Sequence, residues 1–143
     1  MNIVLDANLI ASLVLPLPYS EAATVQMLAW KRQQVTFAAP ALWSYEVSTV
    51  LRRALLAGHL PADKLDFALE QIWRVNILDV PATFELQQQS LAWAVRLGQS
   101  RAYDSAYLTA SEVLQCEFWT ADRRLAKSAQ QAGASWVHSI FEI

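Results

Sequence analysis

The feature that most constrains this chain is its alternation of short apolar runs with longer helical patterns. NIVLD (2–6), VTFAAP (35–40), NILDV (76–80), CEFWT (116–120) and SWVHSI (135–140) read as strands. Between them lie segments with helical spacing. Val47, Val50, Leu51, Ala54 and Leu55 follow the i, i+3, i+4, i+7, i+8 pattern within a helix expected over 41–57. Others are expected over 20–33, with Ser20 as N-cap, and over 61–75, opened by Pro61 and Asp63. Further helices follow in ATFELQQQSLAWAVRL, AYDSAYLTASEVL and DRRLAKSAQQA. Strand–helix alternation implies right-handed crossovers and a mostly parallel sheet with helices on both faces, an α/β three-layer sandwich. At 143 residues the chain is read as a single domain, 1–143.

Several function classes drop out early. The three glycines, Gly58, Gly98 and Gly133, each fall just past an expected helix end, where a left-handed residue terminates the helix. None is left for a phosphate-binding loop, so no nucleotide cofactor of those classes is expected. A single cysteine, Cys116, with His59 and His138 supplies no zinc site and no internal disulfide. The apolar start ANLIASLVLPLP lacks the charged leader of a signal peptide, and no uninterrupted apolar stretch is long enough to span a bilayer. A cytoplasmic protein with no membrane association is expected.

Polar residues at the carboxyl ends of the strands then decide the chemistry, because ligands of parallel α/β sheets bind there. Asp6 ends the first strand inside an apolar run. An ionised carboxylate buried there loses several kcal/mol of hydration unless a partner replaces the water. Glu46 lies at the edge of the apolar stripe of its helix, Asp104 in the first turn of the next-to-last helix, and Asp122 just past CEFWT. Singly, each has an ordinary explanation. Asp104 and Asp122 suit helix N-termini, Glu46 suits a solvated helix face, and Asp6 suits a buried ion pair. Together, four carboxylates at one rim repel each other, and a divalent cation is the simplest way to hold them. Oxygen ligands without His or Cys suit Mg2+ or Mn2+, which support phosphodiester chemistry.

These residues resemble a known family. VLDANLIASLVL, the Glu46 helix, YDSAYLTAS and TADRRLAKSA are similar, in order and spacing, to the four motifs of PIN-domain ribonucleases, and most of all to VapC-type toxins of bacterial toxin–antitoxin pairs. The resemblance implies a PIN-like fold and a Mg2+- or Mn2+-dependent endoribonuclease. It implies that Asp6, Glu46 and Asp104 hold metal and that Asp122 contributes less directly. Asn8 matches a position that orients a carboxylate or a water, and Thr120 the hydroxyl residue before the last acid. It further implies a homodimer, an RNA substrate and a cognate antitoxin protein. Two other readings stay open: a catalytically silent PIN-fold binding module, and an RNA-processing nuclease that is not a toxin. Phosphotransferases with an aspartyl nucleophile do not fit: the haloacid-dehalogenase type needs DxD after the first strand, where this chain has Asp6-Ala7-Asn8, and the receiver type needs a phosphoacceptor Asp at a later strand with a Lys further on.

A formal net charge of −2 looks odd beside an RNA substrate. Setting the four site acids aside from the 13 acidic residues leaves 9 against 11 basic ones. Arg101, Arg123 and Arg124 lie beside site acids and are the candidate phosphate contacts. For Arg96 and Lys127 a solvated helix face is an equal reading. Trp43, Trp93 and Trp119 are expected in the core, while Trp30 and Trp73, toward helix ends, are candidates for exposure. Asp6 is expected to matter greatly for cleavage and little for folding.

Overall fold

A computed structural model describes residues 1–142. The order is β1 (Asn2–Leu5), α1 (Ala7–Ala11), α2 (Ser20–Arg32), β2 (Thr36–Pro40), α3 (Trp43–Leu56), a 3-10 turn (Ala62–Lys64) and α4 (Leu65–Trp73). Then come β3 (Leu78–Val80), α5 (Phe84–Arg96), α6 (Tyr103–Val113), β4 (Glu117–Thr120), α7 (Arg123–Gln131), β5 (Val137–Ser139) and a closing 3-10 turn (Ile140–Glu142).

The strands form one sheet in the order β3-β2-β1-β4-β5, and every pairing is parallel. β1 is central. Val4 pairs with Ala38 on one side and Phe118 on the other. Consecutive strand residues face opposite sides of a sheet. Ile3, Val4 and Leu5 are each no more than 1% exposed, so helices cover both faces. Burying each of these side chains contributes roughly 1.5–3 kcal/mol. The α/β fold with a parallel sheet is therefore as the alternation predicts.

This strand order sets the site. The chain winds outward from β1 through β2 to β3, then returns to the other side of β1 for β4 and β5. The reversal opens a crevice outside the carboxyl ends of β1 and β4.

Local departures have physical causes. The run after β1 holds a five-residue helix, α1, that the strand reading of NIVLD did not separate. The expected 61–75 helix begins as a 3-10 turn after Pro61 and becomes α-helical at Leu65. NILDV shortens to the three residues of β3 because Asn76 adopts a left-handed φ of 61°. Ser20 does not cap α2: Tyr19 holds that position, and the Ser20 hydroxyl bonds the Leu15 carbonyl and accepts from the Leu17 amide. The glycine reading holds, with φ of 76°, 65° and 102° at Gly58, Gly98 and Gly133. Trp43 and Trp93 are buried and Trp73 is exposed. Trp30 is not exposed. It is buried edge-on against Phe37 and Trp119, which is itself only half-buried.

Candidate active site

Asp6 is the residue after β1 and the N-cap of α1. Its Oδ1 accepts from the Leu9 amide at 2.8 Å. So short a helix has few internal hydrogen bonds, and a capping acceptor satisfies one of its orphan amides. Its Oδ2 accepts from the Thr120 hydroxyl and from the Ala121 amide at 3.3 Å. Thr120 is fully buried at the end of β4, and its Oγ1 also accepts from the Asp122 amide at 2.9 Å. One hydroxyl thus joins the ends of β1 and β4 and the start of α7. Asp6 is only 8% exposed. Burial pushes its carboxyl up to about 6, a rise the hydrogen bonds from Thr120, Leu9 and Ala121 only partly offset. The charge of Asp104 adds to the rise. Asp6 thus caps α1 and ties the end of β1 to the end of β4, a structural part that the sequence reading does not give it.

Glu46, half-buried in the first turn of α3, accepts at Oε1 from the Tyr107 hydroxyl at 2.7 Å. Burial raises its carboxyl, the Tyr107 bond opposes this, and the Asp104 charge adds to it. Asp104 begins α6 and is exposed on one side, with a long 3.4 Å contact from Gln99 Nε2 to its Oδ2. Partial desolvation raises it first, then the charge of Asp122. Asp122 caps α7, its Oδ1 accepting from the amides of Arg124 and Leu125 at 2.9 and 3.1 Å. Its helix-capping role and its place on the rim therefore coexist.

Asp104 links the acids: its charge acts on Asp6 and on Glu46, and the charge of Asp122 acts on it. Yet among the described residues no three Asp, Glu, His or Cys side chains are close enough to form a ready metal shell. The convergence is looser than the sequence suggests. Glu46 is hydrogen-bonded to Tyr107, and Asp122 to the α7 amides.

Two recesses flank the acids. One of about 470 Å³ is lined by Glu46, Gln99, Arg101, Tyr103 and Asp104. The other, about 610 Å³, is lined by Asn8, Tyr19, Asp122, Arg123, Arg124 and Phe141. Arg101 and Arg124 are exposed there. Arg123 differs, because its guanidinium lies 3.9 Å over the Phe141 ring. Arg96 is not a free cation at the site. It stacks 3.9 Å over Trp93 and bonds the Ala132 carbonyl. A recess of about 650 Å³ lies at the opposite, amino ends of β1 and β4 and holds none of the four acids.

The sequence reading missed Tyr107, Gln99, Tyr19 and Phe141. Tyr107 had a usable signal, since it lies three residues after Asp104 in YDSAYL and shares its helix face. Tyr19 and Phe141 are brought together only by the tertiary fold.

No protein-family profile matches the chain. A crystal structure of PAE2754 from Pyrobaculum aerophilum superposes with a TM-score of 0.69 at 18% identity, covering 99% of this chain and 94% of that one. This likeness shows the fold. Ribonuclease VapC3 from Pyrobaculum aerophilum is 30% identical over 128 residues, which span 89% of this chain and 94% of the relative. The chain belongs to the VapC family of PIN-domain ribonucleases.

Proposed function

We propose that this chain is a Mg2+- or Mn2+-dependent endoribonuclease and the toxin half of a toxin–antitoxin pair. One observation carries the reading: a buried carboxylate, Asp6, sits at the sheet's switch point within charge reach of Asp104, which in turn is coupled to Glu46 and to Asp122. The name of the relative, a ribonuclease, supports the reaction class.

The donor set fits a hard cation. It is all oxygen, and Mg2+ needs only one or two direct carboxylates when it keeps its waters. Asp6 accepts three hydrogen bonds, leaving one of its roughly four lone-pair positions open. Glu46 Oε2, Asp104 Oδ1 and Asp122 Oδ2 take no hydrogen bond from any described residue. Asp6, Glu46 and Asp104 would hold the ion, with Asp122 contributing less directly. When bound it supplies an acidified water and offsets phosphate charge. Thr120 fixes the Asp6 carboxylate, Tyr107 orients Glu46, and Gln99 steadies Asp104. Asn8, exposed beside Asp6, is placed to orient a water. Arg101 and Arg124, on either flank of the acids, would meet substrate phosphates. A homodimer and a cognate antitoxin complete the proposal. Among the described residues no helix is long and apolar enough to cross a membrane.

The test is cleavage of total RNA by purified chain, freed of any bound inhibitor, in Mg2+, in Mn2+ and in chelator. Cuts with either metal and none in chelator are expected. Inertness toward every RNA would favour the silent binding module. Cleavage without growth arrest on induction would favour an RNA-processing nuclease.

A further inference from the structure

The recess beside Asn8 contains more than a cation. The Arg123 guanidinium carbon lies over the Phe141 ring, 3.9 Å from its centre, and Phe141 in turn meets the half-buried Tyr19 edge-on at 5.8 Å. Arg123 from α7, Phe141 from the closing turn and Tyr19 from just before α2 therefore form one cluster, with Tyr19 buttressing the Phe141 ring by its edge. Phe141 is 39% exposed, Arg123 is exposed, and both line the recess. A lysine-like phosphate contact needs no such support. Planar guanidinium and aromatic faces are what unpaired nucleobases stack on. The α7 amides are not competing for an anion, because Asp122 already occupies those of Arg124 and Leu125. Asp122 also lines the recess, so its contents adjoin the acidic rim. Asn8, in the same wall, offers a donor and an acceptor to a base edge.

We propose that Arg123, seated over the Phe141 ring that Tyr19 buttresses edge-on, is a stacking platform for one unpaired nucleobase next to the scissile phosphate. This rests on the ribonuclease reading and sharpens its substrate class: RNA that is single-stranded at that nucleotide. It also divides the two neighbouring arginines. Arg123 acts through its face, and Arg124, which has no ion pair among the described residues, acts through its charge.

Short RNAs cut by the wild type, carrying 2-aminopurine on one or the other side of the cut bond, test this in a stopped-flow instrument with Mg2+. Expected is fast quenching at one flanking position, ahead of cleavage. Pairing that nucleotide in a hairpin lowers cutting efficiency at least tenfold. Arg123→Lys and Phe141→Leu each abolish the quench and raise KM about tenfold, as loss of one base stack predicts. Arg124→Gln keeps the quench and flattens the salt dependence of binding by about one phosphate contact. Melting curves confirm that each variant is folded. A quench that survives Phe141→Leu, or wild-type KM in folded Arg123→Lys, overturns the platform. So does equal cutting of paired and unpaired RNA. A wild type that cuts no RNA overturns the nuclease reading and the platform with it.

Discussion

Replacing Thr120 with Val removes one hydroxyl at the junction of β1, β4 and α7 and leaves a side chain of nearly the same shape. The hydroxyl donates to the Asp6 carboxylate, a bond worth roughly 1.5–3 kcal/mol when one partner is charged. It also accepts from the Asp122 amide at 2.9 Å, and that amide, near the surface, loses about 1 kcal/mol. No cavity opens. Thr120→Val should therefore cost roughly 3 kcal/mol, or about 10 °C in melting temperature for a domain of this size. Thr120→Ser keeps the hydroxyl, drops a methyl and should cost about 1 kcal/mol. The Val penalty should shrink at pH 4.5, where the buried Asp6 is protonated and its bond is no longer charge-assisted. Thermal melts of wild type, Val and Ser variants at pH 8 and pH 4.5 read all three effects. Cleavage should fall steeply in Val and modestly in Ser, because the carboxylate loses its orientation only in Val. A Val variant within about 3 °C of wild type at pH 8, or a Ser variant as damaged as Val, would refute the reasoning.

Three further outcomes follow from the same geometry. Because the Asp6 carboxyl sits at about 6 in the fold against 3.8 when unperturbed, the metal-free fold binds its proton more tightly than the unfolded chain does. This contribution is fully present below about pH 3.8, is lost as pH rises to about 6, and amounts to roughly 3 kcal/mol, which denaturant titrations across that range will show. Mg2+ should reverse the trend by binding the ionised carboxylates, so millimolar Mg2+ should raise the melting temperature at pH 8 and do little at pH 4.5; no gain at pH 8 would count against the site. Tyr107→Phe frees Glu46 Oε1 and should lower cleavage about tenfold, with a loss of roughly 1–2 kcal/mol in chemical denaturation.

Much of the fold was legible because its signals are local. Strand–helix alternation, apolar stripes and three terminating glycines are read residue by residue, and a parallel sheet follows from them. The rim was legible for a topological reason: in such a sheet the carboxyl ends of the strands face the crevice, and Asp6 follows β1, Thr120 ends β4 and Asp122 lies two residues beyond it. Partnerships across the fold were not legible. Thr120 reaches Asp6 across 114 positions of sequence, and Tyr107 reaches Glu46 across 61. The α1 helix was hidden because ANLIA, four apolar residues and Asn8, is too short for a helical period to show. Arg96 and Arg123 show the same limit. Their charges are plain in the sequence, but the rings that hold them, Trp93 and Phe141, are set by tertiary packing.

Asp104 offers the most direct test that the acidic rim is a metal-dependent ribonuclease centre. It is exposed, and its one side-chain contact among the described residues is the long 3.4 Å approach of Gln99, so Asp104→Asn should fold as the wild type does. Cleavage of one defined RNA in saturating Mg2+ should fall at least about 100-fold in this variant, with the melting temperature in chelator within about 2 °C of wild type. Cleavage at the wild-type rate by folded Asp104→Asn would contradict the account.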